Sequence, residues 1–265
     1  MDIWIEHTTE YIFDEPIDFC MQQIRVTPSS NTLQVVKDWS VKVDGGERTF
    51  NYRDFNGNVV NFIEINQLTE KFSIHASGSV KTYEKNGVLG THSGNCPLWL
   101  FKQESRRTKA GSRCRRLARS VKNKDLLESM HELSKKVEAS FIYDKTASNV
   151  TIGAEEALSL GRGVCQDFTH VFVCAARRLG VPSRYVSGYL LDPENNVREA
   201  MHGWPEVYVS SLGWVGFDPV NGICPDERYV RVAIGRDYED IAPTKGLFLG
   251  SREEIMNVAL TVSQQ

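Results

Sequence analysis

Residues 163–190 read GVCQDFTHVFVCAARRLGVPSRYVSGYL. The first part predicts a helix from Val164 to Leu179, because Gly180 and Pro182 follow it as the usual stop signals. The second part, Ser183–Leu190, is rich in Tyr and Val and predicts a strand. This segment is therefore predicted to be a helix followed directly by a strand, and the neighbouring segments are interpreted relative to it.

Strands continue after this segment, and a helix precedes it. His202–Val209 and Trp214–Phe217 are strand-like runs, and residues 210–213 read as the turn between them. From Asp125 onward, apolar residues recur at helical spacing and predict an amphipathic helix: Leu126, Leu127, Met130, Leu133, Val137 and Phe141. The second half of the chain is therefore predicted to pack helices on an antiparallel sheet.

The first third of the chain consists of one strand-like run after another. Val35–Val43 and Asn58–Ile65 alternate or cluster Val, Ile, Trp, Phe and Thr. The turns at 44–46 (Asp-Gly-Gly) and 56–57 (Asn-Gly) suit tight hairpins that need a positive φ. We expect an antiparallel region whose role is packing, because catalytic residue types do not cluster in it.

These patterns predict an α+β protein in three parts. Residues 1–85 are predicted to form a β-rich antiparallel N-terminal domain, and residues 86–124 a connector that contains a basic segment. Residues 125–265 are predicted to form the core of helices packed on an antiparallel sheet. The length of 265 residues suits this division, since a domain takes ~150 residues.

The composition excludes several classes of protein. Hydrophobic residues make up 41% of the chain and charged residues 25%, which is typical of a globular protein and not of a disordered one. The net charge of −3 argues against nucleic-acid binding by global charge. The 6 cysteines are too few for a disulfide scaffold, and they lack the C-x-x-C spacing of a zinc or thioredoxin-type site.

Neither a cofactor, nor a metal, nor a membrane span is predicted. The chain lacks both a complete nucleotide loop and a D-x-D-x-D-G calcium loop. Residues 1–7 carry acidic residues where a signal peptide has a basic flank, and the longest apolar run, Val171–Ala176, is far below the ~18 residues of a span. We expect a cytoplasmic protein with reduced thiols, and the oligomeric state stays open.

One strongly biased stretch, the basic segment Lys102–Lys124, contains ten Lys or Arg residues and the single acid Glu104. It lacks the interleaved aromatic residues of a nucleic-acid surface. We interpret it as a solvated helix-and-loop surface. A contact site for RNA, membrane phosphate or an acidic partner is the alternative.

Three residue types come together in the predicted core in an order that suits nucleophilic catalysis. Cys165 opens the predicted helix, where unpaired N–H groups and the helix dipole favour a thiolate. His202 opens a strand and can pair with that thiolate and later protonate a leaving group. Asp218 ends the next strand, where a carboxylate can orient the histidine. Antiparallel neighbours would hold His202 and Asp218 side by side.

Taken singly, each of these residues has a plainer interpretation: a small buried thiol, a structural histidine and a turn-forming Asp-Pro. Two nearby residues do not fit the constellation. His170 lies five residues past Cys165 on the same predicted helix, at a different angle, and we interpret it as structural. Cys174 lies about 180° around the helix from Cys165, so it cannot act as a resolving thiol.

The surrounding segments strengthen the constellation. They are Gly163–Phe168, Leu179–Tyr189, His202–Tyr208, Gly213–Pro219, Arg228–Ala233 and Gly235–Tyr238. Together they closely resemble the catalytic core of bacterial transglutaminase-like proteins, which are often described as cysteine-protease candidates. The N-terminal strands, including Asp54–Asn58, resemble the β-rich region that precedes that core, so the resemblance covers nearly the whole chain.

The resemblance implies a papain-like triad in which Cys165 is the nucleophile, His202 the base and Asp218 the orienting acid. One departure follows the histidine: residues 203–205 read Gly-Trp-Pro, where the family more often has Ala-Trp-Val. Pro205 cannot donate a ladder hydrogen bond, so the strand is predicted to be irregular or at an edge there.

The sequence thus predicts a thiol enzyme that acts on an amide or acyl bond of a peptide or protein through a thioester. Water would resolve the thioester in a peptidase or amidase, and an amine would resolve it in a transglutaminase-like acyl transferase. The triad does not choose between them. The Cys165 N–H is the expected first oxyanion donor, and the second is left open. The alternative function is a non-catalytic module that binds a peptide or a partner.

Overall fold

The computed structural model describes residues 1–122, 124–147, 151–192, 197–198, 200–250 and 253–265. Within these ranges the chain forms sixteen strands in four sheets and five α-helices. The protein is therefore rich in sheet and belongs to the α+β class, as the sequence predicts.

Two antiparallel sheets contain all the long strands of the N-terminal region. The first sheet is built from β1 (Asp2–Ile17), β3 (Gln34–Asp44), β6 (Thr69–Thr82), β11 (Val197–Arg198) and β16 (Glu254–Gln264), in the order β11-β16-β1-β6-β3. The second is built from β2 (Phe19–Thr27), β4 (Glu47–Arg53), β5 (Val59–Ile65) and β15 (Thr244–Leu249), in the order β15-β2-β5-β4. The strands predicted at 35–43 and 58–65 correspond to β3 and β5.

These two sheets share one apolar core. Alternate residues of β1 are buried, as period-2 side chains of a half-buried strand should be. The ring of Tyr11 stacks on Phe72 of β6 with centroids 4.7 Å apart, and Ile24 and Ile63 of the second sheet are fully buried in the same cluster. The predicted hairpin glycines adopt the left-handed conformation, with φ of 86° at Gly45 and 83° at Gly57.

The C-terminal end of the chain returns to these sheets. β16 pairs with β1 from Ile3↔Gln264 to Phe13↔Glu254, and β15 pairs with β2 from Thr244↔Ile24 to Leu249↔Phe19. Both returning strands lie in the part predicted as the core, so the hydrogen-bonded sheets of the N-terminal region include strands from beyond residue 124. The predicted boundaries at 85 and 124 stay predictions.

The third sheet is also antiparallel and has five strands. It is built from β7 (Val88–Gly90), β10 (Ser183–Leu190), β12 (His202–Val209), β13 (Gly213–Gly216) and β14 (Tyr229–Gly235), in the order β14-β10-β12-β13-β7. β10 and β12 have the predicted bounds, and β13 begins and ends one residue before the predicted strand. A short parallel pair, β8 (Ile142–Tyr143) and β9 (Arg162–Gly163), forms the fourth sheet.

The sequence predicts a strand that is irregular or at an edge at Pro205, and only the edge alternative is wrong, since β12 lies in the sheet between β10 and β13. Pro205 is tolerated because the ladder between β12 and β13 ends at Glu206↔Gly216, one residue away. Its carbonyl accepts a hydrogen bond from Phe217 N at 2.9 Å, and no donor is needed in return. The strand is central, but Pro205 lies where its pairing with β13 stops.

Helices cover one face of this sheet. They are α1 (Ser112–Ser120), α2 (Leu126–Glu138), α3 (Ala154–Leu160), α4 (Cys165–Arg178) and α5 (Tyr238–Ile241), with a 3-10 helix at Leu98–Lys102. Phe168 and Phe172 of α4 pack against Val207 of β12, and α1, α2 and α3 surround α4. Within the described ranges, no helix has the length and apolar character needed to cross a membrane.

Candidate active site

Cys165 is the first residue of α4 and is half-buried. The helix start is built by the preceding residues: Val164 is the N-cap, and its N–H donates to the Asp167 carboxylate at 2.8 Å. A Cβ at position 163 would lie 2.4 Å from the same carboxylate, so Gly163 allows Asp167 to close on the turn. The Cys165 N–H is one of the amides at the helix start that have no intrahelical acceptor.

His202 and Asp218 lie side by side, although they are 16 residues apart in sequence. His202 opens β12, and Asp218 follows β13, the antiparallel neighbour of β12. The His202 Nε2–H donates to Asp218 Oδ2 at 2.6 Å. Asp218 is completely buried, so this charge-assisted hydrogen bond is shielded from water. The predicted juxtaposition of these two side chains is present.

The Asp218 carboxylate is held by four other donors. Val220 N and Asn221 N donate to Oδ1 at 2.9 and 3.2 Å, and Asn221 Nδ2 and the Tyr229 hydroxyl donate to Oδ2 at 2.7 and 2.8 Å. Burial alone would raise the pKa of Asp218, but the His202 charge and these hydrogen bonds outweigh it and hold the pKa below the usual 3.8. The carboxylate therefore stays ionised and fixed in orientation.

This carboxylate in turn controls the charge of His202. Burial acts to lower the pKa of His202, but the Asp218 charge and side-chain hydrogen bonds to Asp218 and Cys165 raise it to about 10. Because Nε2 is taken by Asp218, Nδ1 is the ring nitrogen left for the Cys165 thiol. The His202 ring also lies 6.1 Å from Trp204 and 5.9 Å from Tyr229, between centroids. The result is an imidazolium that is hydrogen-bonded to a buried carboxylate and whose pKa is raised further by the Cys165 thiol.

A hydroxyl bridge ties the helix of the thiol to the strand of the histidine. The Thr169 Oγ1 lies 2.7 Å from the carbonyl oxygen of Cys165 and 3.1 Å from that of Gly203, the residue after His202. Thr169 is fully buried. This bridge fixes the distance between the first turn of α4 and the first residues of β12, and so supports the contact between Cys165 and His202.

The other residues singled out from sequence lie away from this contact. His170 is fully buried, and its Nε2 accepts from the Tyr238 N–H at 3.2 Å. Cys174 is buried on α4 in the same apolar cluster as Cys114 of α1. The structure therefore brings together Cys165, His202 and Asp218, and it does not add His170 or Cys174 to them.

The basic segment Lys102–Lys124 is divided between the 3-10 helix, a loop and α1. Two of its arginines have acidic neighbours: Arg107 lies 3.9 Å from Glu239, and Arg113 lies 3.9 Å from Glu155. Glu155 also accepts from the N–H groups of Arg113 and Cys114 at 2.8 and 3.0 Å, which caps α1. Across the described residues, no group of three His, Cys, Asp or Glu side chains is placed to hold a metal ion.

Sequence reasoning missed the residues that hold Asp218. Asn221 comes three residues after Asp218 and could have been expected as part of a turn. Tyr229 lies in the segment Arg228–Ala233, which carried part of the family resemblance without a role for the tyrosine. Its contact with Asp218 depends on the pairing of β14 with β10, which local sequence does not reveal.

Comparisons with known proteins agree with this fold. The profile described as the Bacterial transglutaminase-like N-terminal region matches residues 3–81, and the profile of the Transglutaminase-like superfamily matches residues 115–219. The second match spans Cys165, His202 and Asp218. Together the two matches cover most of the chain.

Similar proteins include two mycobacterial relatives and one solved structure. An uncharacterized protein of Mycobacterium leprae is 26% identical over 274 residues, which span 98% of each chain. An uncharacterized protein of Mycobacterium tuberculosis is 32% identical over 148 residues, or 52% of this chain and 47% of that protein. The crystal structure of a candidate cysteine protease from Cytophaga hutchinsonii has a TM-score of 0.76 at 19% identity, covering 99% of this chain and 98% of that one.

The structural match shows a fold shared over 99% of this chain. The N-terminal profile matches residues 3–81, and the superfamily profile follows it at residues 115–219. Residues 115–219 of this chain belong to the transglutaminase-like superfamily, and residues 3–81 before them match the bacterial transglutaminase-like N-terminal region.

Proposed function

We propose that this protein is a thiol enzyme that cleaves or transfers an amide-linked acyl group through a papain-like arrangement of Cys165, His202 and Asp218. The observation that carries the proposal is the hydrogen bond of 2.6 Å from His202 Nε2 to the buried Asp218, with the Cys165 thiol close enough to the same ring to help raise its pKa. An imidazolium held in this way favours the thiolate, which is the reactive form of cysteine.

The reaction follows from these positions. The Cys165 Sγ attacks the carbonyl carbon, and the electron pair of the C=O bond moves to the oxygen. When the tetrahedral intermediate collapses, the C–N bond breaks and His202 Nδ1–H gives its proton to the departing amine. A thioester remains on Cys165. Water or a second amine then attacks it, His202 takes the proton of that nucleophile, and the thiol is released.

Asp218 acts through His202 alone. Its hydrogen bond to Nε2 fixes the ring with Nδ1 toward Cys165, and its charge stabilises the imidazolium without taking the proton. The Cys165 N–H at the start of α4 supplies one donor for the oxyanion. A peptide or protein amide is the proposed substrate. Hydrolysis and transamidation share every step up to the thioester, so both remain within the proposal.

We also propose a setting and an organisation for the enzyme. The cysteines are all free, and a reducing compartment keeps thiols in that state, which favours the cytoplasm. Residues 125–265 would form the catalytic core, preceded by the connector 86–124 and the β-rich domain 1–85. The strands β15 and β16 of the core complete the two N-terminal sheets, which supports a core that depends on that domain for its stability.

Thiol alkylation tests the proposal with a control inside the chain. Cys165 and Cys224 are both half-buried and free, but Cys165 lies close enough to His202 to help raise the pKa of that ring, while burial raises the pKa of Cys224. After brief iodoacetamide treatment near neutral pH, mass spectrometry should find Cys165 alkylated well before Cys224, and His202→Ala should slow Cys165 only. Equal labelling of the two thiols would favour the alternative of a non-catalytic binding module.

A further inference from the structure

Gly203, which directly follows His202, leaves room for the hydroxyl of Tyr185. A Cβ at position 203 would lie 2.3 Å from the Tyr185 hydroxyl oxygen and 2.9 Å from the ring carbon that carries it. Such distances do not occur between real atoms, so an alanine at 203 and the present position of Tyr185 exclude each other. Gly203 is thus required by the space that Tyr185 occupies.

Tyr185 is held rigidly in this place. It lies in β10 directly opposite Pro205 of β12, and its ring is nearly completely buried. The ring of His170 lies 5.2 Å away and that of Tyr238 lies 6.2 Å away, between centroids. Burial, with the nearby Cys165 as the next contribution, raises the pKa of Tyr185 well above its usual value. The hydroxyl therefore keeps its proton at neutral pH and can donate a hydrogen bond.

The hydroxyl lies against the backbone of Gly203, which connects to both reacting groups. Gly203 directly follows His202, and the Thr169 bridge joins the Gly203 carbonyl to the Cys165 carbonyl. Among the residues that the structure describes, no hydrogen-bond partner is found for the Tyr185 hydroxyl. A buried hydroxyl group with a free donor thus lies at Gly203, between His202 and the Thr169 bridge that leads to Cys165.

Attack by Cys165 creates the need for such a donor. The carbonyl oxygen gains a negative charge as the S–C bond forms, and a single backbone N–H leaves it half satisfied. We propose that the Tyr185 hydroxyl is the second oxyanion donor, which makes Tyr185 a catalytic residue that contacts the carbonyl oxygen of the substrate. This inference rests on the proposed function and adds to it the residue that completes the oxyanion site.

The step needs no further reactant. With p-nitrophenyl acetate as the probe, the S–C bond forms and the C=O electron pair moves to the oxygen, which accepts hydrogen bonds from Tyr185 and from the Cys165 N–H. The pair then returns, the C–O bond to the leaving group breaks, and p-nitrophenolate departs. Tyr185 keeps its proton throughout, and Cys165 carries an acetyl thioester.

Two reactions of the same thiol separate the roles. We expect Tyr185→Phe to slow acetylation of Cys165 about 100-fold, which is the scale for loss of one oxyanion donor. Alkylation of Cys165 by iodoacetamide should stay at the wild-type rate, because displacement at a CH₂ carbon forms no oxyanion. Gly203→Ala, which displaces the hydroxyl, should show the same selective loss. Cys165→Ala gives the background of acetylation elsewhere.

Tyr208→Phe is the matched control, since Tyr208 packs on Trp214 at 5.6 Å and is part of another cluster. It should leave both reactions unchanged. Wild-type acetylation in Tyr185→Phe, or an equal fall of both reactions, would overturn the inference and leave the proposed function standing. If Cys165 of the wild-type protein reacts no faster than Cys224 with either reagent, the proposed function fails and the inference fails with it.

Discussion

Two buried histidines of this protein differ in almost everything except burial. His202 donates to Asp218 at 2.6 Å, and its pKa is raised to about 10. The Nε2 of His170 accepts from the Tyr238 N–H, and burial lowers its pKa to about 3, with Arg107 and Arg177 adding to the effect. The first ring therefore stays charged, and the second stays neutral.

A nearby carboxylate is not enough to make this difference. Asp237 lies close enough to His170 to oppose the lowering of its pKa. However, its Oδ1 accepts from the N–H groups of Glu239 and Asp240, at 2.9 and 3.3 Å, and caps α5. Asp218 instead makes direct contact with its histidine. Direct contact with a buried carboxylate is what turns a buried histidine into an imidazolium.

Asparagine substitutions at the two carboxylates should give the largest contrast. Asp218→Asn removes the charge that holds His202 protonated and oriented, so acetylation of Cys165 by p-nitrophenyl acetate should fall about 10³–10⁴-fold at neutral pH. Asp237→Asn keeps a capping side chain on α5 and should leave the rate near that of the wild-type protein. Equal losses in both variants would mean that the two sites do not differ as proposed.

Titration of the rings themselves sharpens the comparison. In a pH series of NMR spectra with assigned imidazole C–H signals, His202 should keep its proton until about pH 10, and His170 should stay neutral down to about pH 3. In Asp218→Asn, the His202 midpoint should move down toward the ordinary 6.5 or below it, because burial then acts without an opposing charge. An unchanged midpoint would remove Asp218 as the cause.

The sequence predicts this site well where the signal is local. Cys165 opens a helix whose end is marked by Gly180 and Pro182, and His202 opens a strand whose bounds the pattern predicts correctly. The position of Asp218 beside His202 follows from the antiparallel pairing of that strand with the next one. Local pattern and family resemblance therefore suffice for the three proposed catalytic side chains.

The supporting residues depend on strand pairing, which local sequence does not determine. Tyr185 reaches Gly203 because β10 pairs with β12, and Tyr229 reaches Asp218 because β14 lies on the other side of β10. β15 and β16 pair with β2 and β1, which lie at the other end of the sequence. Period-2 patterns predict that a strand exists and which face is buried, but they do not identify its neighbours.

Tyr229→Phe tests how much the supporting hydrogen bonds contribute to the His202 site. Asp218 Oδ2 would lose the Tyr229 donor but keep Asn221 and His202, so acetylation of Cys165 should slow only about threefold to tenfold. The aromatic contacts of the ring with His202 and Trp204 are retained. Tyr208→Phe serves again as the control. A loss as large as that of Asp218→Asn would make Tyr229 as important as the carboxylate itself.

The pH dependence of stability should separate the two histidines by sign, with the smallest effect of the series. The raised pKa of His202 stabilises the fold below pH 6.5, and this contribution is lost as the pH rises toward about 10. The lowered pKa of His170 acts in the opposite range: the unfolded chain binds the proton first, so the free energy of unfolding falls as the pH drops from 6.5 toward about 3.

Thermal denaturation should therefore show His170→Gln losing less stability than the wild-type protein between pH 6.5 and pH 4. His7, whose pKa burial lowers to about 4, should give the same sign when replaced by Gln. Parallel curves for wild type and His170→Gln would mean that His170 does not have to lose its proton on folding, and the contrast between the two rings would then rest on His202 alone.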